Sequence, residues 1–189
     1  MAKLIPKFVF RLFSTWDLGG FGMAKVYGIF CDESFKNVLV GTGGTSGKKQ
    51  AKRKGYHFPG GTIGDPISSK QFDLPALRQQ MIVEVEEEFG KENGQILSPY
   101  IMRSTHCFFI TMDGFLVYFL VCPLTLDMSM CTGDVRDGST EACDSAFEQV
   151  HCVTMENAYS LFSDHLGTGW FGHGLKHVEQ TRDAGKYEP

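Results

Sequence analysis

The stretch "MIVEVEEEFG", residues 81–90, packs four glutamates among apolar residues directly ahead of a glycine. On a helix, positions i, i+3 and i+4 share one face, so Glu84, Glu87 and Glu88 converge while Glu86 projects away toward solvent. Ile82, Val85 and Phe89 fall on a separate apolar stripe, which buries the other side. Three like charges on one face repel one another. A hard divalent cation offsets that repulsion well, because Mg²⁺ or Mn²⁺ takes oxygen ligands and keeps waters that can be activated. The competing reading is a solvated acidic face balanced by nearby lysines, and the helix alone favours it. What precedes the helix tilts the choice toward metal.

The elements that must position these carboxylates follow from local pattern. Residues 24–44 predict a β-hairpin whose strands alternate around one buried face, with "DESFKN" as the turn. The basic, glycine-rich run 45–55 predicts a surface loop, and 56–73 a short strand leading into a loop. Asp73 is placed to cap the acidic helix, Pro75 suits its first turn, and Gly90 stops it. Two β-rich runs, 100–112 and 115–124, flank the hairpin turn Asp113-Gly114. A polar loop over 125–147 leads to a short strand, a Thr154 cap and a helix over 148–165, then a Gly- and His-rich tail from 167. Strands on both sides of a central helix make the class α+β.

One tempting motif fails. "GTGGTSGKK", residues 41–49, has Thr42 and Lys49 where a phosphate-binding loop needs Gly and Ser or Thr, and no helix follows it. A flexible connection between strands explains it better.

The segment before the acidic helix is more specific. "GYHFPGG" followed at a distance by "VEVEEEFG" resembles the box of the Nudix hydrolases, G-x5-E-x7-R-E-U-x-E-E-x-G with U apolar. Phe58, Pro59 and Gly60 match its frequent lead-in and Gly61 its opening glycine. Glu84, Val85, Glu87, Glu88 and Gly90 match the remaining pattern. Three departures stand out: Val83 occupies the arginine position, Ile67 stands where the loop glutamate belongs, and the loop is longer. In the family that arginine and glutamate support each other by a salt bridge, so their joint absence removes an orienting part without stranding a charge.

The resemblance implies an α/β/α sandwich with a mixed, largely antiparallel sheet, as one Nudix-like domain over 1–189 with an N-terminal extension 1–22 and a C-terminal tail 167–189. It implies hydrolysis of a diphosphate in a nucleoside diphosphate linked to another moiety. Mg²⁺ or Mn²⁺ would be held by Glu84, Glu87, Glu88 and the Gly60 carbonyl. Glu148 resembles a supplementary ligand, and the general base is open among Glu84, Glu141, Asp144 and Glu148. Lys48, Lys49 and Arg53, in a run with Lys52 and Lys54, could close on phosphates. Tyr56, Phe58, Trp170 and Phe171 could stack a base, with core packing expected for at least two.

Two alternatives stay open: a catalytically impaired Nudix-fold module that binds a nucleotide or a protein partner, and an unrelated α+β interaction domain. ADP-ribose, dinucleoside polyphosphates, NADH, nucleoside triphosphates and capped RNA ends are all compatible substrates. A net charge of −4 disfavours longer nucleic acid. The six cysteines form no CxxC pair and are expected as reduced thiols in a cytoplasmic compartment. The most apolar run, 115–124, is too short to span a bilayer as a helix, so no membrane anchoring is expected. A homodimer through the N-terminal segment is compatible with the sequence. The six histidines show no metal spacing, and none is given a role.

Overall fold

The computed structural model describes residues 23–43, 56–63, 73–112, 115–135, 147–163 and 169–183. Its strands are β1 (Met23–Asp32), β2 (Asn37–Thr42), β3 (Tyr56–His57), β4 (Gly60–Thr62), β5 (His106–Met112), β6 (Phe115–Leu124), β7 (Gly133–Asp134) and β8 (Gln149–Thr154). Its helices are α1 (Leu74–Glu88), α2 (Lys91–Arg103), α3 (Met155–Ser163) and α4 (Gly169–Asp183). The strands form one mixed sheet in the order β5-β6-β1-β2-β8-β7, with β3 on β2 and β4 on β1. Only the β1–β6 pair is parallel among the described strands.

The sheet is covered on both faces. Ala24, Val26 and Phe30 of β1 pack with Leu77, Met81, Val85, Leu97 and Ile101 of α1 and α2. Tyr27, Ile29 and Cys31, the alternate residues, pack with Met155, Phe162, Phe171, Leu175 and Val178 of α3 and α4. The fold is therefore α+β, built as an α/β/α sandwich. Double cover also corrects the expectation of one buried hairpin face: Val38, Leu39 and Val40 are consecutive and all fully buried.

The hairpin turn holds because the Asp32 carboxylate accepts from the Lys36 and Asn37 N–H groups at 2.7 and 3.1 Å. Beyond it β1 and β2 diverge. Cys31 faces Val38, but further along β1 pairs with β4 through Tyr27–Gly60 and Val26–Gly61, while β2 pairs with β3 through Gly41–His57. The segment 56–62 is thus wedged into a fork between the two strands. That wedge carries the Phe-Pro-Gly-Gly lead-in.

Helix α1 starts where expected, with the Asp73 carboxylate accepting from Ala76 N–H at 2.9 Å. Asp73→Ala removes that cap and should cost about 1 kcal/mol, read as a shift in the urea midpoint. Its buried stripe is Leu77, Met81 and Val85, continued by Phe89; Val85 and Phe89 are buried as expected, while Ile82 is only half-buried and Met81 takes its place. Gly90, with φ of 87°, breaks the chain between α1 and α2.

Two further expectations are corrected. Tyr100–Arg103 is the last turn of α2 rather than strand, and α2 as a whole was not foreseen. Gly94 and Pro99 hide it, both being poor helix residues. Gly94 is there for contact: a Cβ on it would lie 2.3 Å from Glu86 Cγ. The second correction concerns the tail, where 169–183 is a regular helix. Its buried residues Phe171, Leu175 and Val178 recur at i, i+4 and i+7. The N-terminal extension 1–22, the Asp113-Gly114 turn and the basic run 45–55 lie outside the described residues. Among the described residues no helix is long and apolar enough to cross a membrane.

Candidate functional site

The glycine wedge and the acidic helix meet directly. Gly60 N–H donates to Glu88 Oε2 at 2.7 Å, and Glu88 is only 2% exposed. Glu84, 9% exposed, lies against Gly61: a Cβ there would sit 2.3 Å from Glu84 Oε2. Its other oxygen, Oε1, accepts from Gln80 Nε2 at 2.8 Å, a partner one turn earlier on the same helix. Two carboxylates are therefore sunk at the fork, spaced i, i+4 along the border of the buried stripe, and set against glycine backbone. Burying them is tolerable because each is hydrogen-bonded.

The other two glutamates correct the expectation about solvent. Glu87 is the exposed one. Glu86 does point away from the site, but its stem packs half-buried on Gly94 of α2 instead of standing in water. Val83, at the arginine position of the resemblance, is 45% exposed, and Ile67 lies outside the described residues.

Gly60 fixes the fork. Its φ is 156°, and a Cβ on it would lie 2.1 Å from the Val26 carbonyl oxygen, backbone that cannot step aside. Gly60→Ala should therefore cost about 3 kcal/mol, combining strain and overpacking, and lower Tm by roughly 10 °C. A shift of under roughly 3 °C in a thermal melt would mean the fork yields easily.

The later segment is tied to the same place. Phe147 N–H donates to the Glu88 carbonyl at 2.9 Å, closing on the last turn of α1. Phe147 is buried against Gly41, Phe89 and His57. Glu148 follows it, with its side chain exposed beside Gly43 and its N–H donating to the Thr42 carbonyl at 2.9 Å. Glu148 thus stands one residue from the anchor to α1. Glu141, Asp144, Lys48, Lys49, Lys52, Arg53 and Lys54 lie outside the described residues.

Among the described residues, no three His, Cys, Asp or Glu side chains are grouped to hold an ion in the arrangement they have here. The donor chemistry nevertheless fits a hard dication. Glu84, Glu87 and Glu88 offer carboxylate oxygens, and Gly61 lets the Glu84 carboxylate come close to the wedge backbone. Glu84 and Glu88 are held by Gln80 and Gly60, so Glu87 is the carboxylate that reaches solvent. Gln80 and the Gly60 N–H were not singled out in the sequence. The signal for Gln80 was there, since it stands one turn before Glu84.

The aromatic residues divide between core and rim. Phe58 and Phe171 are 1% exposed and belong to the core, meeting each other at 5.1 Å. Trp170 is half-buried, stacked on Tyr27 at 6.4 Å and with the Lys25 ammonium 5.2 Å from its ring centroid. Tyr56 meets the edge of His151, whose Nε2 shares a 2.8 Å hydrogen bond with Thr42 Oγ1.

The five described cysteines are free thiols; Cys143 lies outside the described residues. Burial pushes Cys107 up to about 12 and Cys131 up to about 11, which keeps both protonated and unreactive at neutral pH. A separate open cavity of about 750 Å³ lies beside β8, lined by Asp32, Asp127, Met128, Gln149 and Cys152 among others. Asp32 and Asp127 both spend their carboxylates on local backbone N–H groups there.

What the fold and site define is an α/β/α sandwich whose split sheet seats a glycine wedge over two buried helix carboxylates. No family model matches the chain, and no curated protein matches it. Among solved structures it is similar to the solution structure of the E. coli ORF135 protein, at 15% identity and a TM-score of 0.42, over 89% of this chain and 97% of that one. A likeness of that degree says nothing about chemistry.

Proposed function

We propose that the chain is a divalent-metal-dependent hydrolase that cleaves a diphosphate within a nucleoside diphosphate linked to another moiety. The observation that carries this reading is the pair of buried carboxylates, Glu84 and Glu88, held against Gly60 and Gly61 at the fork. A chain with no use for charge there has every reason to fill such positions with apolar side chains. The resemblance of the same residues to the Nudix box supplies the reaction class.

On this reading Glu84, Glu87, Glu88 and the Gly60 carbonyl would hold Mg²⁺ or Mn²⁺, which when bound supplies charge neutralisation at the diphosphate and an activated water. The protein's own part is to fix the donors. Gln80 orients Glu84, Gly60 N–H orients Glu88, and the closed fork excludes bulk water from both. Glu87, exposed at the rim, is the carboxylate free to rotate toward substrate. Glu148, tethered through Phe147 to the end of α1, is the candidate to accept a proton from the attacking water. Lys48, Lys49 and Arg53 remain the proposed phosphate contacts.

The test is phosphate release from a panel of nucleoside diphosphate derivatives, capped RNA included, with and without Mg²⁺ or Mn²⁺. Metal-dependent turnover of one class supports the hydrolase. Binding of a nucleotide without turnover would replace it by the second reading, a nucleotide-binding module, which the exposed Val83 at the arginine position favours.

A further inference from the structure

The correction of the tail to a helix changes what its histidines can do. In a loop, His173 and His177 are unrelated. On α4 they stand at i and i+4, so their side chains leave the same face about one turn apart, about 6 Å along the axis. Both are exposed.

Packing sets that face. Phe171, Leu175 and Val178 are buried beneath the helix, and a Cβ on Gly174 would lie 3.0 Å from the Phe119 ring. So close an approach leaves α4 little freedom to roll, and the outward direction of 173 and 177 is fixed with it. The His177 ring is further held by the Phe108 ring of β5, 4.1 Å between centroids.

We infer that His173 and His177 form a surface site for a borderline transition-metal dication such as Zn²⁺, Ni²⁺ or Cu²⁺. Imidazole nitrogen selects these ions over Mg²⁺ and Mn²⁺, which prefer oxygen. The pair i, i+4 on a helix is the spacing at which two histidines bind one ion. Among the described residues no third His, Cys, Asp or Glu joins them, so the remaining positions take water or an incoming ligand. Such a site differs in ligand type from the carboxylates at the fork and does not depend on the hydrolase reading.

The experiment is calorimetric titration of the full chain with Zn²⁺ in a non-coordinating buffer containing millimolar Mg²⁺, which occupies any oxygen site at the fork. The variants are His173→Ala, His177→Ala and Cys152→Ser. A Zn²⁺ site is expected that is weakened at least tenfold by either histidine change and unchanged by Cys152→Ser. Acidification should release it, because protons compete for the imidazoles. In a second readout, substoichiometric Cu²⁺ should broaden amide resonances across 170–181 before any on α1. The absence of Zn²⁺ binding would overturn the inference. So would binding that survives both histidine changes, or binding lost with Cys152→Ser.

Discussion

On the proposed reading, Glu87→Gln lowers metal-dependent hydrolysis by at least roughly 100-fold and leaves the thermal melt unchanged. The two halves of that result have separate causes. Glu87 is exposed, so removing its charge costs the fold almost nothing. It is also the one box carboxylate the described structure leaves at the rim, so the proposed chemistry depends on it. Glu88→Gln should behave differently. Glu88 is buried and accepts from Gly60 N–H at 2.7 Å, so an amide there loses a charge-assisted hydrogen bond. A stability loss of about 2 kcal/mol should accompany the loss of rate. Equal effects of the two substitutions on stability would break the distinction between a rim carboxylate and a structural one.

Phe171→Ala has the largest expected effect on stability. The ring is 1% exposed and meets Tyr27 at 4.8 Å, Phe58 and Phe162 at 5.1 Å, and the edge of His57 at 5.9 Å. It pins the start of α4 to the sheet and to the wedge that carries Gly60. Truncating so enclosed a ring costs about 4 kcal/mol, which in a chain of this size lowers Tm by roughly 12 °C. Hydrogen exchange should show α4 opening first, because its anchor is gone. A melt shifted by less than roughly 4 °C would mean that α4 contributes little to the fold.

Much of the fold was legible because it rests on local rules. Asp32 and the turn residues announced the first hairpin, and Asp73 and Gly90 bracketed α1 within a residue or two. The lead-in Phe58-Pro59-Gly60 was legible as a unit, although nothing local said that β1 and β2 part to receive it. That fork is a tertiary fact, set by which strand each half of β1 pairs with. The helices α2 and α4 were hidden by glycines and a proline, two of the glycines being placed for contact. Gly94 admits the stem of Glu86, and Gly174 admits the ring of Phe119. Local propensity records the cost of such residues and is blind to the packing that offsets it. For the same reason His173 and His177 seemed unrelated until the helix joined them.

The candidate site was half legible. Helical spacing put Glu84, Glu87 and Glu88 on one side of α1, but could not say that two would be buried and one exposed. Burial depended on where the glycine wedge lay. Glu86 was assigned to solvent because its partner helix had not been foreseen.

The central claim is that the acidic side of α1 is a metal centre. Its most direct test is an electron paramagnetic resonance titration of Mn²⁺ into the native chain and into Glu87→Gln. The account predicts that the native chain depletes the free Mn²⁺ signal with saturable binding, and that the variant binds at least tenfold more weakly. A native chain that leaves the free signal untouched, or a variant that binds as tightly, would contradict it.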